Sequence, residues 1–191
     1  MNKKELRRSL LQKRQSISES EWREKSYFLC QHLQNCPRFK TSQTVLAYFS
    51  FRREPDLNLL FTNTGENSLL STKNWGFPRC VEKSLSWHIW QSGNSLQKGA
   101  YGILEPELNA RLLQPSEVDL ILVPAVACDL HGYRLGYGGG FYDRMLSATE
   151  WASKPTIGIV FEFAYLQQLP IDSWDRPLNA VCTENGINWI I

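Results

Sequence analysis

No stretch of this 191-residue sequence stays apolar for the roughly 18 residues that a membrane-spanning helix needs; the longest such run, near Leu120, falls well short. No apolar h-region follows the basic start, so no secretory signal is expected. A basic, acid-poor start also resembles an organelle transit peptide. Leu6, Leu10 and Leu11, however, are spaced as the buried stripe of a folded helix, so a folded helix is expected there. Neither sign of charge is in large excess, with 21 Lys and Arg against 19 Asp and Glu. A formal net charge of +2 is too small to argue for nucleic acid or an anionic membrane surface. The basic residues Lys3, Lys4, Arg7, Arg8, Lys13 and Arg14 crowd the first fourteen positions against Glu5 alone, and beyond them the charges balance. Five scattered cysteines make no disulfide framework, and they are expected to be ordinary thiols in a reducing cytoplasm. Cys128 and His131 form a C-x-x-H pair with no second pair to complete a zinc site. Neither a Ser–His–Asp nor a Cys–His nucleophile pattern is recognisable, and no internal repeat, low-complexity tract or linker is seen.

What is present is enough for one well-packed core. Hydrophobic residues make up 42% of the chain, with seven Trp, seven Tyr and nine Phe, and a single domain over residues 1–191 is expected. Asn2 to Ser16 reads as a helix. Ser18 with Glu21 has the capping pattern of a second helix running to about Asn35. Thr44 to Ser50 is β-branched and aromatic and predicts a buried strand, and Asp56 caps a helix through Phe61. Strands are expected at Gly76 to Val81, Leu85 to Trp90, Leu120 to Val123, Thr156 to Phe161, Val181 to Thr183 and Ile187 to Ile191. Gly93 to Pro115 reads as loop with at most a short helix, and Ala164 to Leu169 as a short helix. Strands alternating with helices predict an α/β fold with a largely parallel sheet.

The segment Val118 to Leu146 is the most informative. A buried strand closed by Pro124 leads into a loop with Gly132, Gly136, Gly138, Gly139 and Gly140, and a helix starts near Phe141. Strand, glycine loop and helix start together can hold phosphate, because glycine lets backbone N–H groups approach an anion. Asp143 could then hold a divalent metal against those phosphates. Neither G-x-x-x-x-G-K-[ST] nor G-x-G-x-x-G is present, and glycine clusters are often only turns. A plain turn, though, needs neither Arg134 nor the flat side chains of Tyr133, Tyr137, Phe141 and Tyr142.

The run GYRLGYGGGFYDRML, preceded by VPAVACDLH, resembles the signature of the 5-formyltetrahydrofolate cyclo-ligase (methenyltetrahydrofolate synthetase) family, whose core is R-L-G-x-G-x-G-[YF]-Y-D. The similarity extends to the basic first helix, the strand ending near Phe49 to Glu54, YGILEP at Tyr101 to Pro106, and LPIDSWD ending at Asp175. It implies a Rossmann-like three-layer fold. It also implies ATP- and magnesium-dependent cyclisation of 5-formyltetrahydrofolate to 5,10-methenyltetrahydrofolate, with release of ADP and phosphate. Phosphorylating the formyl oxygen would make the carbon electrophilic and the oxygen a leaving group. The folate's own N10 would then attack, so the protein supplies positioning and charge neutralisation rather than a covalent nucleophile.

The resemblance assigns ATP to Lys3, Lys4, Glu5, Leu6 and Arg7. It also assigns ATP to Arg134, Leu135, Gly136, Tyr137, Gly138, Gly139, Gly140, Phe141 and Tyr142, with Arg134 and Tyr142 as the catalytic candidates. Folate would meet Phe49, Glu54, Tyr101 and the stretch from Tyr137 through Phe141, with Glu54 accepting the two donors of the pterin edge; core packing suits Phe49 equally well. Asp143 and Asp175 match magnesium positions. The family's further Asp, four residues beyond the second of these, is Asn179 here, which loses a charge. His88 and His131 are read as structural. The expected partners are 5-formyltetrahydrofolate and ATP, with no nucleic acid and no membrane, in a cytoplasmic monomer. Two alternatives remain at this point. One is another small-molecule ATP-dependent ligase or kinase on the same fold. The other is a nucleic-acid-binding module, which would need basic residues spread over a face.

Overall fold

The computed structural model describes residues 2–62, 70 and 72–190. Helix α1 (Lys3–Ser16) starts where Asn2 and Glu5 satisfy each other's backbone N–H groups, and α2 (Glu19–Asn35) starts where Ser18 accepts from the Glu21 N–H. A short α3 (Pro37–Thr41), opened by proline, leads to strand β1 (Thr44–Leu46). There follow α4 (Asn58–Phe61), β2 (Asn74–Val81), β3 (Ser84–Ile89), β4 (Leu96–Lys98), β5 (Leu104–Pro106), β6 (Leu120–Pro124), β7 (Ala127–Asp129) and β8 (Arg134–Leu135). The chain ends with α5 (Phe141–Ser147), α6 (Thr149–Ala152), β9 (Thr156–Ile159), β10 (Tyr165–Leu166), β11 (Ala180–Thr183) and β12 (Gly186–Trp189).

Seven strands form one sheet in the order β12-β11-β9-β6-β1-β2-β3. Its five central strands are parallel, and each edge is closed by an antiparallel strand, β3 against β2 and β12 against β11. Successive side chains of a strand point to opposite faces, so Leu120 and Leu122 join one buried cluster while Ile121 and Val123 join another. The first cluster includes Leu29 and Leu33 of α2, Phe39 of α3 and Leu60 of α4. The second includes Leu10 of α1 with Met145 and Leu146 of α5. The result is three layers, helix–sheet–helix, as expected. Among the described residues no helix is long and apolar enough to cross a membrane.

Four local expectations are corrected. The strand expected through Ser50 stops at Leu46, because Phe49 turns into an aromatic cluster, stacked 4.1 Å from Phe77 and edge-on to Phe61 and Trp90. The loop expected over Gly93 to Pro115 holds the β4–β5 hairpin. Its anchor is tertiary: buried Glu105 accepts from the Cys80 N–H of β2 at 2.9 Å. The helix expected at Ala164 to Leu169 is a 3-10 turn, Glu162–Ala164, followed by β10, which pairs with β7. Finally, β8 pairs back on β7 and divides the expected single glycine loop into two turns. The last position of the closing strand, Ile191, lies outside the described residues.

The first of those turns is built around Asp129. Its fully buried carboxylate accepts from the His131 and Tyr133 N–H groups at 3.0 and 2.9 Å, and from the Leu169 N–H at 2.9 Å. Gly132 sits in this turn at φ +83°, where a Cβ would lie 2.5 Å from the Leu178 carbonyl oxygen. Gly132→Ala combines a left-handed backbone with a clash against main chain, at a cost of about 2–4 kcal/mol. The melting temperature should fall by roughly 2–4 °C for each kcal/mol. An unchanged melt followed by circular dichroism would show that the turn yields freely.

Candidate active site

Because β1 and β6 are parallel neighbours, the segments leaving their carboxyl ends lie side by side, the usual place for a ligand in such a sheet. One carries Phe49 to Glu54, the other Ala125 to Gly140. Helix α1 ties them together. Arg7 Nε donates to the Gly136 carbonyl at 2.7 Å, and the Arg7 guanidinium lies against Gly138. Two helical turns further on, Arg14 donates to the carbonyls of Arg52 (3.1 Å) and Ala125 (3.3 Å) and to the Tyr137 hydroxyl. Leu6 packs on the core, whereas Lys4 and Glu5 face solvent, with Glu5 occupied in capping the helix.

Glu54 ends a tight turn in which its N–H donates to the Phe51 carbonyl at 3.0 Å. The two central residues, Arg52 and Arg53, are left-handed at φ +48° and +56°, a conformation that side chains other than glycine resist. One tertiary and two local hydrogen bonds hold it. The Glu54 carbonyl accepts from Trp22 Nε1 and Ser50 Oγ, both at 2.8 Å, and one Glu54 carboxylate oxygen accepts from the Phe51 N–H at 3.0 Å. Only 4% of Glu54 is exposed. Burial pushes its carboxyl up to about 7, against the opposing pull of Arg14, the Phe51 N–H and the Tyr137 hydroxyl.

The second glycine turn runs from Gly136 to Gly140, with Gly138 at φ +101° and Gly140 at φ +66° opening α5. Arg144 braces it from behind, donating to the Gly139 and Lys83 carbonyls while its guanidinium covers the Phe141 ring. The exposed Tyr101, on the β4–β5 hairpin, reaches over to Phe141, ring centres 5.8 Å apart. Tyr142 packs its ring against Trp87, and burial together with the charge of Glu54 raises its phenol, which therefore stays protonated.

Arg134 is buried. It donates to the Arg176 carbonyl at 2.7 Å and to the Asp143 carboxylate. Asp143 also faces a cleft of about 490 Å³ that is shared with Gly140, Arg144, Ser147, Ala148 and the exposed indole of Trp174. Asp175 is held elsewhere, by Lys3 Nζ at 2.5 Å, and the same ammonium meets Asp172 at 2.6 Å. Burial would lower the Lys3 ammonium's affinity for its proton, but the two carboxylates outweigh that and raise it. The carboxylates assigned to magnesium thus have separate cationic partners. Among the described residues no three His, Cys, Asp or Glu side chains converge as a metal cage. Asn179, the departure from the family pattern, lies at the amino end of β11. There its Oδ1 accepts from the N–H and hydroxyl of Thr156 at 2.9 and 3.0 Å, bonds that need its carbonyl oxygen and not a charge.

The expected residues therefore fall into groups. Arg7 meets the glycine turn at Gly136 and Gly138, Tyr101 meets Phe141, Arg134 pairs with Asp143, and Tyr137 acts on Glu54. Phe49, 9% exposed, belongs to the aromatic core. The motifs single out neither Arg14 and Arg144, which brace the turns, nor Trp174, which lines the cleft. Arg14 left a signal, since it follows Arg7 by seven residues and so shares its helix face. His88 is structural, bonded to Ser86 and the Ala110 carbonyl. The buried thiols of Cys30 and Cys128 are pushed up to about 12 by loss of solvent, so neither serves as a nucleophile at neutral pH.

The model of the 5-formyltetrahydrofolate cyclo-ligase family matches residues 1–184. A 5-formyltetrahydrofolate cyclo-ligase of Mycolicibacterium smegmatis is 32% identical over 188 residues, covering 95% of this chain and 93% of that one. One from Haemophilus influenzae is 30% identical over 152 residues, covering 78% and 79%. The solved structure of 5,10-methenyltetrahydrofolate synthetase from Aquifex aeolicus superposes with a TM-score of 0.86 at 36% identity, covering all of this chain and 93% of that one. With this match along nearly its whole length, and with the signature loop placed beside a buried carboxylate at the carboxyl edge of the sheet, the chain belongs to the 5-formyltetrahydrofolate cyclo-ligase family of enzymes.

Proposed function

We propose that the chain cyclises 5-formyltetrahydrofolate to 5,10-methenyltetrahydrofolate, consuming ATP and releasing ADP and phosphate. The observation that carries this is the placement of buried Glu54 next to Tyr137 of the glycine turn, which joins a site for a donor-rich pterin edge to one for phosphate. The N3–H and 2-amino donors of a pterin would meet the Glu54 carboxylate. Since the empty carboxyl takes up a proton near pH 7, folate affinity should weaken as pH falls below that value. Arg7 and Arg134 supply positive charge near the glycine turn, and Lys3 would add to it on leaving Asp172 and Asp175; the turn's backbone approaches the phosphates without Cβ interference. The formyl oxygen attacks the γ-phosphorus and ADP departs. N10 then attacks the activated carbon, loses its proton, and phosphate leaves. Arg134 offsets the charge that builds on the transferring group.

Asp143 suits a magnesium ion: it is a hard oxygen donor, it lines the cleft, and Arg134 takes only its Oδ1. Bound there, the ion would screen the phosphate charges, with Asp175 as a second carboxylate if Lys3 turned from it to phosphate. Mixing protein, 5-formyltetrahydrofolate and Mg-ATP tests the reading. Methenyl absorbance should rise in a one-to-one ratio with ADP, and EDTA should stop both. ATP turnover at an equal rate without folate would overturn it.

A further inference from the structure

Arg14 lies outside every residue set that the motifs single out, yet it is the side chain that touches both ends of the site. Only 3% of it is exposed. Each of its three nitrogens donates to a different segment: Nε to the Arg52 carbonyl in the Glu54 turn, Nη1 to the Ala125 carbonyl beyond β6, and Nη2 to the Tyr137 hydroxyl in the glycine turn. The guanidinium also sits 5.5 Å from the centre of the Tyr137 ring, and its charge and the Tyr137 hydroxyl both favour the ionised Glu54 carboxyl. We propose that Arg14 is a positioning residue that couples folate occupancy at Glu54 to nucleotide occupancy at the glycine turn. This rests on the function proposed above.

Arg14 fixes both turns at once. The Glu54 turn is held in a left-handed conformation that its residues do not favour, and Arg14 is one of the groups that hold it. The glycine turn is conformationally free by composition, and Tyr137 is the residue through which Arg14 grips it. A pterin that draws charge onto Glu54 strengthens the Glu54–Tyr137–Arg14 chain, because the fixed cation then faces a full anion. A tighter chain pre-orders the glycine turn for phosphate, so the second ligand loses less freedom on binding. Linkage requires the effect to be reciprocal, and couplings of this kind commonly amount to roughly 5–150-fold in affinity. A purely structural arginine would act differently, changing both affinities while leaving their mutual dependence intact.

The test measures the affinity of a non-hydrolysable ATP analogue with magnesium, in the absence and presence of saturating 5-formyltetrahydrofolate, by calorimetry. In the unaltered protein folate should tighten the analogue about 5-fold or more. In Arg14→Met, and in Tyr137→Phe, which keeps the ring and the other two Arg14 bonds, that ratio should fall to about one. Arg144→Met is the contrasting variant. It loosens the glycine turn without touching Glu54, so the analogue should weaken while the ratio survives. If Arg14→Met fails to fold, Tyr137→Phe decides alone. An unchanged ratio in the variants, or a ratio of one in the unaltered protein, overturns the coupling role. A protein that binds neither ligand overturns the proposed function itself.

Discussion

Arg134→Gln should lower the rate of methenyl and ADP formation by about 10²–10³-fold, the cost of removing a pre-oriented charge from a transferring group. Arg134 is 7% exposed and aimed by the Arg176 carbonyl, so in the proposed reaction it would need no reorganisation as charge builds on the phosphoryl group. Glutamine keeps a donor but neither the charge nor the fork, and it leaves Asp143 without its cation. Folate affinity should change much less, because Glu54 is held by other partners. Single-turnover kinetics together with folate titration separate the two quantities. A rate within threefold of the unaltered enzyme would remove Arg134 from the chemistry. Asp143→Asn complements it, weakening the dependence on Mg-ATP more than that on folate.

Glu54→Gln should pull binding and stability in opposite directions. Losing one charge-assisted hydrogen bond to the pterin costs roughly 1.5–3 kcal/mol, about 10–150-fold in folate affinity. Stability follows from linkage. The folded carboxyl titrates at about 7 and the unfolded one near 4.5, so between these values the native state holds a proton that the unfolded state has released. Stability therefore falls as pH rises across that window and levels off above it, by at most about 3 kcal/mol. Glutamine is neutral throughout and still offers an oxygen to the Phe51 N–H. The variant should match the unaltered protein near pH 4 and melt several degrees higher at pH 8, at roughly 2–4 °C per kcal/mol. Melts at the two pH values decide it. A variant less stable at pH 8 would mean that the buried charge is fully compensated by Arg14 and Tyr137.

Much of the scaffold was legible because its signals are local. Asn2 and Ser18 cap helices with their own neighbours, the apolar runs at Leu120 and Thr156 need both faces of a sheet, and Pro78 to Trp87 fold back through a two-residue turn. The glycine-rich signature, with Arg134 and Asp143 nine residues apart, could be read as one unit for the same reason. The tertiary structure alone decided the β4–β5 hairpin, which Glu105 docks on β2, and the pairing of β10 with β7 where a helix was expected. It chose the core for Phe49, one of the two roles the sequence left open, and it alone gave Asp143 and Asp175 to different cations. It also brought Arg14 to Arg52 across 38 residues and to Tyr137 across 123. Contacts of that span draw their free energy from the closure of the whole sheet and the water it expels. No window of neighbouring residues contains that energy, so no local pattern could announce which carboxylate would meet which arginine.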